Sequence, residues 1–174
     1  MPTNPDEIKS FLDQRKLKYG HDKGSNKFQS GFSTDNYLNA EGRNLFTFNI
    51  ICEDDGEIVR IIAPNLFTVP PKASAKRKAA VWQTLLQVNW NCRLVTFEYD
   101  INDGEIRALY NIPLGDSSLS QQQLLSGVYS MPTALDQYAP DIVRAIAFGI
   151  PLEGHREYAN QFEKFIKGWT PAST

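Results

Sequence analysis

The sequence predicts an α+β fold: an antiparallel sheet of about five strands with helices packed mainly on one face. Two observations carry this reading. Residues 44–64 and 95–112 each alternate apolar and polar side chains about a central Asp-Gly pair, Asp55-Gly56 and Asp103-Gly104. Period-two alternation marks a half-buried strand, and Asp-Gly tolerates the positive φ of a tight hairpin turn. Elsewhere apolar residues recur at helical spacing before, between and after the hairpins. The predicted order is helix, three strands, helix, two strands, then helices.

The first helix opens at Asn4-Pro5-Asp6-Glu7. Asn suits the N-cap, Pro the first turn, and the acids the positive end of the macrodipole. Ile8, Phe11 and Leu12 form its buried face, and Tyr19-Gly20 ends it. A weak strand follows over residues 28–32, where Gly31 suits an edge. The first hairpin places Phe46, Phe48, Ile50 and Cys52 on one face with Val59, Ile61 and Ala63. Its other face carries Thr47, Asn49 and Arg60, but also Ile51, Ile58 and Ile62.

Pro70-Pro71 bar a helix from starting before Ala73. That helix carries the stripe Val81, Trp82, Leu85, Leu86 and Asn89, and ends over residues 89–91. With Asp103 and Gly104 as a two-residue type I′ loop, Ile101 faces Ile106, Phe97 faces Tyr110, Val95 faces Ile112, and Asp100 faces Arg107. Trp82, Leu85, Phe97, Tyr110, Phe48 and Ile50 are expected in one buried core. Residues 119–124 read as a capping box with a hydrophobic staple. The helix they open has Leu124, Val128, Met131, Leu135 and Tyr138 as its buried stripe. Pro132 should kink or split it, and Pro140 should start a further short piece that Gly149 stops. A last amphipathic helix is expected over residues 154–169, with Tyr158, Phe162, Phe165, Ile166 and Trp169 on one side. The chain thus divides into one domain over residues 1–150 and a helical extension over 151–174.

Composition narrows the function. Hydrophobic residues make up 41% and charged residues 22% of 174 residues, with a net charge of −2, the profile of an ordinary globular domain. No global field draws the chain to nucleic acid or anionic lipid. The basic run Lys72, Lys76, Arg77 and Lys78 sits at the wrong end of its helix for the macrodipole. Without an RNA-binding motif beside it, nucleic acid ranks behind protein partners. No apolar run approaches the ~20 residues of a membrane helix, and the polar N-terminus is no signal peptide, so a cytoplasmic setting is expected. Cys52 and Cys92 make no disulfide framework and read as small core thiols at strand ends.

No catalytic, cofactor or metal site can be assigned. His21 and His155 lie in polar segments without a Cys, Asp or Glu at metal spacing, and read as exposed loop histidines. The acidic runs at residues 53–57 and 100–104 miss the calcium-loop pattern and are better explained as hairpin turns. There is no G-x-S-x-G, phosphate loop or thiol beside a histidine. Glu98 and Asp100 share one strand face opposite Arg107 and read as a solvated face.

The element order resembles the type III secretion chaperone fold. Residues 85–91, Leu-Leu-Gln-Val-Asn-Trp-Asn, followed by Phe97-Glu98-Tyr99-Asp100 and Asp103-Gly104-Glu105-Ile106, are similar to the central segment of the YbjN family. That resemblance implies a chaperone-like fold over residues 4–147 and the family's description as a bacterial sensory transduction regulator. It supplies no catalytic residues.

The function expected is therefore a non-enzymatic protein-interaction or chaperone-like regulatory module that binds a polypeptide partner, as a homodimer. Ile51, Ile58, Ile62 and Leu109, with Arg60, are the candidate interaction residues on the outer face of the sheet. That face serves either a second copy, another polypeptide, or the last helix folding back to cover it with Tyr158, Phe162, Phe165, Ile166 and Trp169. The alternative is a small-ligand sensor, or an enzyme with a dispersed site, in the groove between sheet and helices.

Overall fold

A computed structural model describes residues 3–22 and 24–153. The elements are α1 (Pro5–Gln14), β1 (Gly20–Asp22), β2 (Lys27–Ser33), β3 (Leu45–Glu53), β4 (Ile58–Thr68), α2 (Ala75–Asn91), β5 (Thr96–Tyr99), β6 (Glu105–Pro113) and α3 (Gln121–Phe148). Among the described residues six strands form one antiparallel sheet in the order β1-β2-β3-β4-β6-β5. The sixth strand, β1, is too short to announce itself by alternation. It pairs with Lys27–Gln29, so among the described residues the half of β2 that holds Gly31 has no strand on its outer side, the edge position its glycine suggested. A Cβ at Gly31 would also meet the Phe46 carbonyl oxygen at 2.6 Å.

The helix starts follow from their caps. Asn4 Oδ1 accepts the Glu7 N–H at 3.0 Å. Ser74 Oγ accepts the Arg77 N–H at 3.3 Å, one residue after the earliest start the prolines allow. Ser120 and Gln123 complete the capping box, at 3.2 and 2.9 Å. The end of α1 differs from the expectation: it stops at Gln14 and not near Tyr19. Leu17 N–H reaches the Leu12 carbonyl and Lys16 N–H the Asp13 carbonyl, a Schellman closure with Lys16 at φ 56° where glycine is usual.

Both prolines of α3 lie inside one continuous helix, so the predicted split does not occur. Pro140 cannot donate to the Asp136 carbonyl, but Asn36 Nδ2 does so at 3.0 Å. The Asp136 carboxylate accepts the Asp35 and Asn36 N–H groups, each at 2.8 Å. The β2–β3 connection thereby fills the bond that proline removes. Leu124, Val128, Met131, Leu135 and Tyr138 are all buried, as expected of the stripe. Gly149 closes the helix at φ 65°.

The first hairpin keeps its expected register, with Ile50 opposite Ile61 and Cys52 opposite Val59. β4 runs past Pro64 to Thr68 through a bulge between Ala63 and Phe67, where Asn65 N–H donates to Glu105 Oε1 at 2.8 Å. The second hairpin slips by two residues. Phe97 faces Ala108, Glu98 faces Arg107 and Tyr99 faces Ile106. Asp100 Oδ1 holds Asn102 and Asp103 Oδ1 holds the Glu105 N–H, building a longer loop in which only Gly104 has positive φ. A type I′ turn needs positive φ at both central residues. An even slip preserves which face each side chain occupies, so Phe97 remains buried.

One core joins the helices to one sheet face. It includes Ile8 and Leu12 of α1, Val81, Leu85 and Val88 of α2, the α3 stripe, and Phe28, Phe48, Ile50, Ile61, Phe97 and Ile106. Two members of the expected core are corrected: Tyr110 is half-buried and Trp82 is 42% exposed. α2 is rotated from the expected stripe, burying Ala80, Val81, Thr84, Leu85 and Val88 and leaving Leu86 in solvent. The helix expected over residues 154–169, and His155, lie outside the described residues.

Candidate functional site

The five candidate interaction residues fall on the sheet face opposite the core. Successive rows across the strands read Asn49, Ile62, Leu109, Thr96; then Ile51, Arg60, Asn111; then Glu53, Ile58, Pro113. Ile62 and Leu109 are direct cross-strand neighbours. Arg60 lies between Ile58 and Ile62 along β4 and opposite Ile51, so it is the centre of the apolar group and not part of its rim. Its guanidinium is held by Glu53 Oε2 at 3.2 Å and Asn111 Oδ1 at 3.1 Å. Ile51, Ile58, Arg60 and Ile62 are half-buried and Leu109 is buried, yet none of the five belongs to the core that includes the three described helices.

The expected Asp100–Arg107 pair is replaced by Glu98–Arg107. Arg107 Nε and Nη2 donate to Glu98 Oε2 at 2.9 and 2.8 Å. That bond, ahead of the nearby carboxylates, raises the Arg107 pKa further. Asp100 belongs to the turn, where its Oδ1 accepts from Asn102. Glu98 and Asp100 therefore do not act as a carboxylate pair.

The remaining chemical groups are scattered. His21 is on β1, not in a loop, with its ring stacked on Phe28 at 4.2 Å. Cys52 donates to the Thr3 carbonyl at 3.6 Å, and burial pushes its thiol pKa up. Cys92 caps α2 and does not end a strand; both thiols are half-buried. Among the described residues no group of three or more His, Cys, Asp or Glu could hold a metal ion. No helix among them is long and apolar enough to cross a membrane.

Two features escape the sequence reading. On the outer side of α2, Trp82, Leu86 and Trp90 are 42, 73 and 85% exposed, one helical turn apart. Their spacing is that of a core stripe, and only the neighbouring elements decide which of two overlapping stripes is buried. The second is an open groove of about 1070 Å³ between the end of α1, the α2–β5 connection and residues 121–138 of α3. It lies among the helices and the connection, not between sheet and helices as the alternative reading would have it. Its residues come from segments far apart in sequence, so no local motif marks it.

Residues 4–144 match the model of the YbjN family, described as "Putative bacterial sensory transduction regulator". The crystal structure of YbjN from E. coli, a "putative transcription regulator", superposes with a TM-score of 0.55 at 10% identity, covering 79% of this chain and 92% of that one. An uncharacterized protein from Methanothermobacter thermautotrophicus gives 0.48 at 17% identity, covering 82% and 98%. A chain of the HopA1-SchA chaperone–effector complex gives 0.41 at 14% identity, covering 74% and 88%. No curated protein matches the sequence.

Proposed function

The chain belongs to the YbjN family, and from that premise we propose that it is a non-catalytic regulatory module that binds a polypeptide partner, as a homodimer, through the outer face of its sheet. One observation carries the reading. The described helices all contribute to the core on one sheet face, while Ile51, Ile58, Ile62 and Leu109 gather around Arg60 on the other. Apolar side chains around a fixed arginine suit a protein interface, where arginine is enriched and free charge is depleted. The Glu53 and Asn111 bonds pre-order Arg60, so docking a partner costs it little further side-chain entropy. This reading comprises a domain over residues 1–150, an extension over 151–174 and a cytoplasmic setting.

Charge insertion tests it. Light scattering of the full chain should give a dimer, and Ile62→Glu with Ile51→Glu should give a folded monomer that no longer captures the partner. The core is untouched, so near-native melting is expected. Unchanged assembly and unchanged capture in the double variant would remove this face from the function.

A further inference from the structure

We propose that the groove between α1, α3 and the α2–β5 connection is a binding site for a small organic anion with an apolar body. It goes beyond the interface reading and does not depend on it. The charges lining the groove are Arg15 and Arg93, and no described carboxylate lines it. Arg15 is the C-cap of α1, and Arg93 follows the last turn of α2. Gln121 Nε2 donates to Gln14 Oε1 at 3.0 Å, which fixes the Arg15 end of α1 against the start of α3. Both arginines are exposed, and among the described residues neither has a carboxylate partner.

The charge balance makes this lining informative. The chain holds 20 acidic and 18 basic residues. A groove carrying two guanidinium groups and no described carboxylate therefore runs against the chain's net charge and keeps a local positive potential. Guanidinium is the side chain suited to forked binding of a carboxylate or phosphate. Beside the arginines the wall is apolar: Leu125 is 7% exposed, while Leu94 and Tyr129 are 54% and 46% exposed and present a flat aliphatic and aromatic surface. The rest of the α3 wall is neutral, with Ser126 as an example. The volume, about 1070 Å³, lies just above the roughly 300–1,000 Å³ of small-molecule sites. An inorganic ion would leave the apolar wall unused, and a neutral hydrocarbon would leave both arginines unpaired. A carboxylate on an aromatic or aliphatic body satisfies both.

The test uses the full chain with 2-naphthoate, and with 2-naphthamide as its uncharged counterpart, by isothermal titration calorimetry. Naphthoate should bind saturably and at least about tenfold tighter than the amide, since one charge-assisted hydrogen bond supports a factor of that order. Arg15→Gln and Arg93→Gln should each weaken naphthoate by about tenfold, with the melting temperature unchanged because both side chains are exposed. Ser126→Glu should remove binding while Ser126→Gln retains it. In a Cys52→Ser background, naphthoate should also slow alkylation of Cys92, which lines the groove. Equal affinity for the amide, unaffected binding in the arginine variants, unaltered Cys92 alkylation, or no saturable naphthoate binding would overturn the proposal.

Discussion

Asn89 on α2 pairs with the backbone of Phe97 on β5 through both ends of its amide. Its Oδ1 accepts the Phe97 N–H at 2.8 Å, and its Nδ2 donates to the Phe97 carbonyl at 2.9 Å. β5 is the last strand of the sheet, so these two groups would otherwise point off its edge. An open edge invites pairing with another chain. Here a helix side chain occupies the position that the next strand would take.

Asn89→Ala should therefore destabilise the fold by about 1–3 kcal/mol, because two partly buried backbone groups lose their partner. Asn89→Asp should fall between wild type and alanine in urea unfolding, since it keeps the acceptor and loses the donor. The alanine variant should also associate more readily at high concentration. A change under about 0.5 kcal/mol would mean that water replaces the amide at no cost.

Phe97 and Trp82 should separate clearly in stability. Phe97 is 2% exposed and meets the Tyr138 ring edge-on at 6.5 Å. Phe97→Ala deletes a core aromatic and should cost about 3–5 kcal/mol. Trp82 lies over Tyr99 at 6.2 Å with 42% of its surface in solvent. Trp82→Ala should cost only about 1 kcal/mol, the scale of an exposed aromatic pair. Similar urea midpoints for the two variants would contradict the rotation of α2 described above.

That contrast shows what was legible in the sequence. Alternation fixes which side chains share a face, so Phe48, Ile50, Ile61 and Phe97 fall in the core from pattern alone, and the first hairpin falls into register. Turn chemistry is less decisive. Asp103-Gly104 matches a two-residue turn, but the carboxylates of Asp100 and Asp103 build a longer loop with their own hydrogen bonds. The stripe on α2 is ambiguous because Trp82 and Leu86 obey the same helical spacing as Val81, Leu85 and Val88. A proline-broken helix is the local expectation for α3, and a side chain some hundred residues away, Asn36, removes the reason for the break. At the outer face the residues were readable, but the place of Arg60 among them required the strand register. The groove was not readable, since Arg15, Arg93 and Leu125 come to line one groove only through tertiary packing.

Asp136 should prove to be the anchor of the β2–β3 connection. Its carboxylate takes two backbone N–H groups and its carbonyl takes Asn36 Nδ2. Asp136→Ala should lower stability by about 1–2 kcal/mol and expose residues 34–44 to limited proteolysis before the core opens. Asn36→Ala should act more weakly, because it frees only the carbonyl below Pro140. Proteolysis of the Asp136 variant that begins elsewhere would show that other contacts hold this connection.

The Cys52 thiol should react slowly at neutral pH. Burial raises its pKa, and its S–H is engaged by the Thr3 carbonyl. Only the thiolate attacks an alkylating agent. In a Cys92→Ser background, iodoacetamide should modify the folded chain well below the rate for glutathione. The rate should climb as pH rises toward the thiol's elevated pKa, and unfolding in urea should remove the difference. A folded-state rate equal to that of glutathione would mean that the N-terminal segment opens freely over Cys52.

Gly104 and Gly42 provide the last test, because both have positive φ, 81° and 72°, but differ in their surroundings. A side chain at Gly42 would meet nothing within 4 Å, so Gly42→Ala should cost only the left-handed penalty of about 1–2 kcal/mol. At Gly104 an added Cβ would collide with the Val69 carbonyl oxygen, and Val69 N–H donates to the Gly104 carbonyl at 2.8 Å. Backbone on both sides is therefore committed and cannot move aside as a flexible side chain would. Gly104→Ala should cost clearly more than Gly42→Ala in urea unfolding, and Gly104→Val more again, since a β-branched residue tolerates positive φ least. The loss should be accompanied by faster amide exchange at Val69, whose bond the displaced loop would break. Equal costs for the two alanine variants would show that the loop yields at Gly104 and that the close approach of Val69 is not maintained in solution.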